Sequence, residues 1–295
     1  MADMRLSIAD FGIDLINSSN YPVALEQGYL PFCSEEGLAP ASVSVNAYSG
    51  ISDEQKILES QIYAADFEGN RLWKIGRVDA GLRFHVFNSE APHQLQQVAE
   101  LNEDLNVWNI YSEPVMEAGE KKIFPLLYPM GPLVMYYLAA KFDAIMIHGS
   151  GISDNGDAHI FTGVSGQGKT TMAKLWFDAG AEVLNDDRLI IRKENNGYRV
   201  YNTPMFYADK SRSAKLAAIH SIYHAPSNSL TKLNGIEAVS AVMPNLIQHG
   251  YSSDLISHHL NFVSEMIGKI PVYKLGFKPD QGIVQKVKNT RFERA

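Results

Sequence analysis

The chain has 295 residues, 45% of them apolar, which is enough for one large or two moderate cores. Its net charge of −7 argues against nucleic acid or an anionic membrane as partner, since both call for a basic face. A single cysteine, Cys33, excludes an internal disulfide, and the acids Asp3 and Asp10 break up the opening segment where a secretory signal would stand. The expected location is therefore the cytoplasm.

Residues 1–128 are expected to form a mostly antiparallel, β-rich region. Residues 5–16, 72–78 and 82–87 bunch or alternate β-formers, with turns at residues 66–70 and 79–81 between them. No chemistry can be named there; packing, or positioning of a partner protein or peptide, are the two readings. The Pro-rich run Pro125-Leu126-Leu127-Tyr128-Pro129-Met130-Gly131-Pro132 marks the boundary with a second domain over residues 129–295. Residues 132–141 predict a helix. The apolar run 132–147 is too short, and with Lys141 and Asp143 too polar, to span a bilayer.

A strand over residues 146–152 leads to Asp154-Asn155-Gly156-Asp157, and Asn-Gly between apolar runs is a strong hairpin signal. The returning strand, residues 158–162, enters Gly163-Val164-Ser165-Gly166-Gln167-Gly168-Lys169-Thr170-Thr171, which satisfies G-x-x-x-x-G-K-[ST]. Glycines let such a loop aim successive N–H groups at phosphate oxygens. Lys169 is expected to reach the β/γ-phosphates and Thr170 to ligate Mg²⁺. A helix over residues 171–177 would add its positive N-terminal end, with Gly180 as a left-handed cap at its far end. The alternative for Thr170 is a helix cap. Lys169 has no persuasive alternative, because an ammonium in a glycine loop without an anion is costly.

Val183-Leu184 then reads as a short strand ending at Asp186 and Asp187. At the carboxyl end of a strand beside the loop, one of them is expected to act on metal or on the incoming nucleophile; a solvated turn is the alternative. A second hairpin turns residues 189–193 back onto 198–201 through Asn195-Asn196-Gly197. Arg188 either binds phosphate or pairs with Asp187. Lys210 and Arg212 are candidates for a cation from outside the loop, or part of a solvated one. Residues 216–224 and 270–275 predict strands, with Pro271 at a start or an edge. Helical spacing runs over 236–248, interrupted by Pro244, and 254–267, and the basic tail 284–294 is expected to be helical. His159 reads as structural. His258-His259 do not share a helix face, which argues against a metal site.

His148-Gly149, the loop at 163–170 and Asp186-Asp187-Arg188, in that order and spacing, resemble the HPr kinase/phosphorylase family and its shorter relatives, whose P-loop core is shared with the phosphoenolpyruvate carboxykinases. Thr203-Pro204 matches the Thr-Pro of the relatives' "GTPW" segment, with Asn202 and Met205 at its flanks. The resemblance covers roughly residues 130–245. It implies an α/β fold with a P-loop core of that type, entered by a β-hairpin and preceded by the β-rich region. It also implies an ATP- and Mg²⁺-dependent kinase acting on a hydroxyl, in a protein or peptide serine. The family's second signature, Pro-Gly-Arg-Asn followed by Ile-Glu, is absent, so the implied acceptor is not HPr itself. Carried over by position, Lys169 and the loop hold the nucleotide, Thr170 and Asp186 the metal, and the pair Asp186/Asp187 supplies the base. His148 donates to the transferred phosphate or orients an Asp. A small-molecule kinase and a nucleotide-binding regulator without transfer are the rivals. A carboxykinase would need a second His and Lys ligand set.

Overall fold

The computed structural model describes residues 3–34, 42–67, 70–88, 91, 94–205 and 208–290. Glu68 and Gly69 of an expected turn, and the end of the basic tail from Arg291, lie outside them. The fold is mixed α/β with mostly antiparallel sheets, and the chain forms two compact units. The first comprises Met1–Phe142, Pro204–Lys210 and His249–Tyr251; the second comprises Asp143–Thr203, Ser211–Gln248 and Ser252–Ala295. The first unit thus continues past the expected boundary at residue 128 and takes in the helix that follows it.

Strands of the first unit are β1 (Met4–Ile8), β2 (Phe11–Asn17), β3 (Ser42–Ser49), β4 (Ser60–Phe67), β5 (Asn70–Val78), β6 (Gly81–Phe87), β7 (Leu95–Asn102), β8 (Val107–Ser112), β9 (Val115–Glu117) and β10 (Glu120–Lys122). Eight form one sheet in the order β1-β2-β3-β8-β7-β6-β5-β4, and β9 and β10 form a separate ribbon. Only β2/β3 and β3/β8 pair in parallel within the larger sheet. The β-forming run over 5–16 folds back on itself as β1 and β2, because Ala9 and Asp10 adopt φ 52° and 58° and close a two-residue turn. Helix α1 (Met130–Lys141) is apolar nearly all round and accordingly buried over most of its length. Its Tyr137 ring stands edge-on to Phe84 and Trp108, and its hydroxyl meets His249 Nδ1 at 3.0 Å and the Tyr251 hydroxyl at 2.7 Å.

The second unit contains β11 (Ala144–His148), β12 (Ser150–Asp154), β13 (Asp157–Thr162), α2 (Lys169–Asp178), β14 (Glu182–Asn185), β15 (Arg188–Glu194), β16 (Gly197–Asn202), β17 (Ser213–His224), β18 (Ser229–Leu233), α3 (Ile236–Val242), α4 (Ser253–Ile267), β19 (Val272–Phe277) and α5 (Gly282–Lys288). Strand order is β11-β15-β16-β17-β13-β12-β14, with β19 beside β17 and β18 beside β19. β13, β17 and β19 are the parallel set. Alternate side chains face opposite ways along each strand. Ile160, Ile219 and Val272 meet Ala238 and Val242 of α3 and Val263 and Met266 of α4. Phe161, Ile222 and Leu275 meet Met172 and Trp176 of α2 and Val284 of α5. Each face of the sheet is therefore covered by two helices. The run expected as one strand over 146–152 breaks at Gly149, where a Cβ would meet the Phe161 carbonyl oxygen at 2.9 Å. Among the described residues no helix is long and apolar enough to cross a membrane.

Candidate functional site

β12 lies antiparallel to both β13 and β14, so β13 and β14 run in the same sense and finish at the same end of the sheet. At that end Thr162 leads into the glycine loop and Asn185 into Asp186 and Asp187. Pairing of the hairpin thus brings together two segments whose motifs stand well apart in sequence.

The loop over residues 163–168 depends on its glycines. Gly163, Gly166 and Gly168 have φ 154°, 80° and 88°, and Gly168 is the residue from which α2 starts. The N–H groups of Gly166, Gly168, Lys169 and Thr170 donate to no backbone acceptor among the described residues. Lys169 is buried, and its Nζ donates to the carbonyl oxygens of Gly163 at 2.9 Å and Val164 at 3.3 Å. Burial pulls the Lys169 pKa below its ordinary value, while the negative charges of Asp186 and Asp187 act in the opposite direction. Those two charges are therefore within electrostatic reach of the ammonium. Thr170 and Thr171 are exposed, as are Val164, Ser165 and Gly166, while Gln167 is half-buried.

The acids are held firmly. Asp187 Oδ1 is 3.1 Å from His148 Nδ1, and its Oδ2 is 2.7 Å from Arg188 Nη1. Its backbone N–H donates to Asn185 Oδ1 at 3.2 Å, and its carbonyl accepts from the Gly149 N–H at 3.0 Å. Burial works to raise the Asp187 pKa, but the hydrogen bond from His148 and the charges of Arg188, His148 and Lys169 outweigh it and hold the carboxyl below its ordinary value. Asp186 accepts a hydrogen bond from the Ser150 hydroxyl on Oδ1. The His148 carbonyl accepts from Thr162 Oγ1 at 2.8 Å, which ties the histidine to the strand that feeds the loop.

A deeper layer fixes this turn. Buried Asn185 donates from Nδ2 to the Thr203 carbonyl and hydroxyl, each at 3.2 Å, and the Thr203 hydroxyl donates to the Arg188 carbonyl at 3.0 Å. Ser150 and Asn185 escaped the sequence reading because nothing local marks them. Thr203 stood out only through its Pro neighbour. His224 and Phe277 were also missed. The His224 Nε2 lies 3.3 Å from the Gly166 carbonyl, and its ring packs against Phe277 beside Gly168.

Other candidates are engaged by partners of their own. Arg188 pairs with Asp187, the second of the two options raised for it. Lys210 belongs to the first unit. Arg212 pairs with Glu182 at 3.2 Å, at the end of β14 farther from Asp186, which removes it as a cation for the loop. His159 is buried with its Nδ1 3.1 Å from His220 Nε2. His258 Nε2 bonds the Ala144 carbonyl at 3.1 Å.

A cleft of about 650 Å³ opens from His148 and the loop residues Gly163, Val164, Ser165 and Gln167 along Ser221–Tyr223 to the segment between Ser240 and Ile247. No Asp, Glu, Lys or Arg lines it. Among the described residues no group of three or more His, Cys, Asp or Glu side chains could hold a metal. A hydroxyl and one carboxylate, as Thr170 and Asp186 offer, nevertheless suit Mg²⁺, which commonly takes one or two protein oxygens and completes its shell with water and phosphate.

No protein-family model and no curated protein matches the chain. Among solved structures it is similar to the HPr(Ser) kinase/phosphatase from Coxiella burnetii, at 11% identity and a TM-score of 0.29, over 48% of this chain and 95% of that one. The similarity is distant and carries no inference about activity.

Proposed function

We propose that the chain is an ATP- and Mg²⁺-dependent phosphotransferase that moves the γ-phosphoryl group to a hydroxyl, in a serine of a protein or peptide other than HPr. One observation carries this reading: the buried ammonium of Lys169, in a loop with several uncommitted N–H groups, lies within electrostatic reach of Asp186 and Asp187. In this reading Gly163–Thr171 bind the nucleotide phosphates, the loop amides and Lys169 taking the oxygens that carry the negative charge. Thr170 and Asp186 hold Mg²⁺, which when bound neutralises charge developing on the phosphates. Asp187 and His148 serve proton transfer at the acceptor. The acceptor approaches through the cleft. Its lack of Lys and Arg side chains supports a neutral hydroxyl over a carboxylate or phosphate, whose charge such a site would need to offset.

Lys169→Ala tests the phosphate site. Removing the ammonium is expected to weaken Mg·ATP binding at least about tenfold, or about 1.4 kcal/mol, in calorimetry; unchanged affinity would sink the assignment. Mass spectrometry of lysate proteins and peptides after incubation with γ-labelled ATP and Mg²⁺ then reads the acceptor. ATP binding without turnover or transfer would favour a regulator over an enzyme.

A further inference from the structure

The acid pair and the histidine divide their work unequally, and the division rests on the phosphotransfer reading above. We infer that His148, oriented by Asp187, takes the proton of the acceptor hydroxyl through its Nε2, while Asp187 acts only as a positioning residue. Asp187 has both carboxylate oxygens engaged, one by His148 Nδ1 at 3.1 Å and the other by Arg188 Nη1 at 2.7 Å. Its backbone is pinned on both sides by Asn185 and Gly149. A carboxylate fixed between two such donors is a poor proton acceptor but a good anchor for a ring. With Nδ1 directed at that carboxylate, the neutral imidazole keeps its proton on Nδ1 and presents a lone pair at Nε2. Among the described residues Nε2 has no hydrogen-bond partner, and His148 lines the cleft beside Val164 and Ser165 of the loop. Asp186, held by Ser150 and within electrostatic reach of Lys169, belongs to the phosphate side in the reading above.

The step balances without a further reagent. The acceptor O–H bond breaks and its proton goes to Nε2, while the oxygen bonds to the γ-phosphorus. The bond from that phosphorus to the β,γ-bridging oxygen breaks, and its electron pair leaves with ADP. The imidazolium, stabilised by Asp187, then returns its proton to solvent. With water as acceptor the same sequence releases inorganic phosphate, so the full chain can be tested with Mg·ATP alone.

His148→Ala is expected to lower phosphate release about a hundredfold or more while ATP affinity by calorimetry stays within a few-fold. Added imidazole should restore part of the rate to His148→Ala but none to Asp186→Asn. The His148→Ala/Asp187→Asn double variant should be no slower than His148→Ala alone, because a positioning residue has nothing left to position. If His148→Ala binds no ATP, His148→Asn, whose amide can still donate to Asp187, replaces it in the same comparison. Undiminished turnover in the histidine variant, failure of imidazole to restore it, or losses that multiply in the double variant overturns the inference and leaves the phosphotransfer reading standing. ATP binding with neither turnover nor transfer to any lysate protein or peptide in the wild type overturns both.

Discussion

Gly168 sits where the loop turns into α2, with φ 88° and with Phe277 and His224 packed against its missing side chain. A Cβ there would meet Phe277 Cζ at 2.6 Å and His224 Cε1 at 3.2 Å, so both the backbone and the ring would have to shift. Gly166 shares a positive φ of 80°, but nothing lies within 4 Å of its missing side chain. Gly166→Ala therefore carries only the left-handed backbone cost, about 1 kcal/mol. Gly168→Ala adds displacement of a ring that is fully buried, and the loop amides move with it. Calorimetry with Mg·ATP is expected to show at least about a tenfold loss for Gly168→Ala, or about 1.4 kcal/mol, and a smaller loss for Gly166→Ala. Equal affinities for the two variants would show that the Phe277 contact does not set the loop.

At the level of elements, signals carried by neighbouring residues were legible and those carried by distant partners were not. Asn155 and Gly156 take φ 53° and 87° and join β12 to β13, as that dipeptide predicts. The helix expected over 236–248 stops at Val242, and a 3₁₀ turn containing Pro244 follows, because proline has no N–H to give an α-helical bond. The Ala9-Asp10 turn lacks glycine and asparagine and left no such mark. The turn carrying Asp186 and Asp187 could be placed after a strand. What holds it comes from Gly149, Ser150 and Thr203, which only strand pairing brings near. Asn185 is the centre of that support, bonding Thr203 with its amide and the Asp187 N–H with its oxygen. Asn185→Ala would strand buried donors and acceptors, at a cost of about 1–3 kcal/mol. Urea titration should register that loss; a midpoint equal to wild type would mean that the turn stands without it.

At the scale of the whole chain, the first unit takes residues from three places, including two short returns at Pro204–Lys210 and His249–Tyr251. Short returns carry no change of composition, so sequence placed a single cut after residue 128, whereas α1 supplies Tyr137 to the core of the first unit. The second unit holds an unusual store of neutral histidine in its core. His159 and His220 lie side by side on β13 and β17, and His259 is buried on α4. Burial pulls His159 down to about 4, His259 down to about 4 with the neighbouring His258 charge adding to the effect, and His220 well below its ordinary value. In the unfolded chain these rings titrate near the ordinary value of about 6.5. Between there and about pH 4 the unfolded state binds more protons than the folded one, so stability falls as pH falls. Each ring contributes a slope of at most about 1.4 kcal/mol per pH unit across that window. The lowered carboxyl of Asp187 adds its own loss only further down, as pH falls through the carboxylate range. Urea midpoints measured from pH 7 downwards are therefore expected to start dropping near about pH 6.5, above the range in which most carboxylates protonate. His259→Leu, which removes one of the three rings, should make that decline shallower by up to one proton. A flat profile between pH 6.5 and 4, or an unchanged slope in His259→Leu, would mean that the buried histidines do not govern the acid limb.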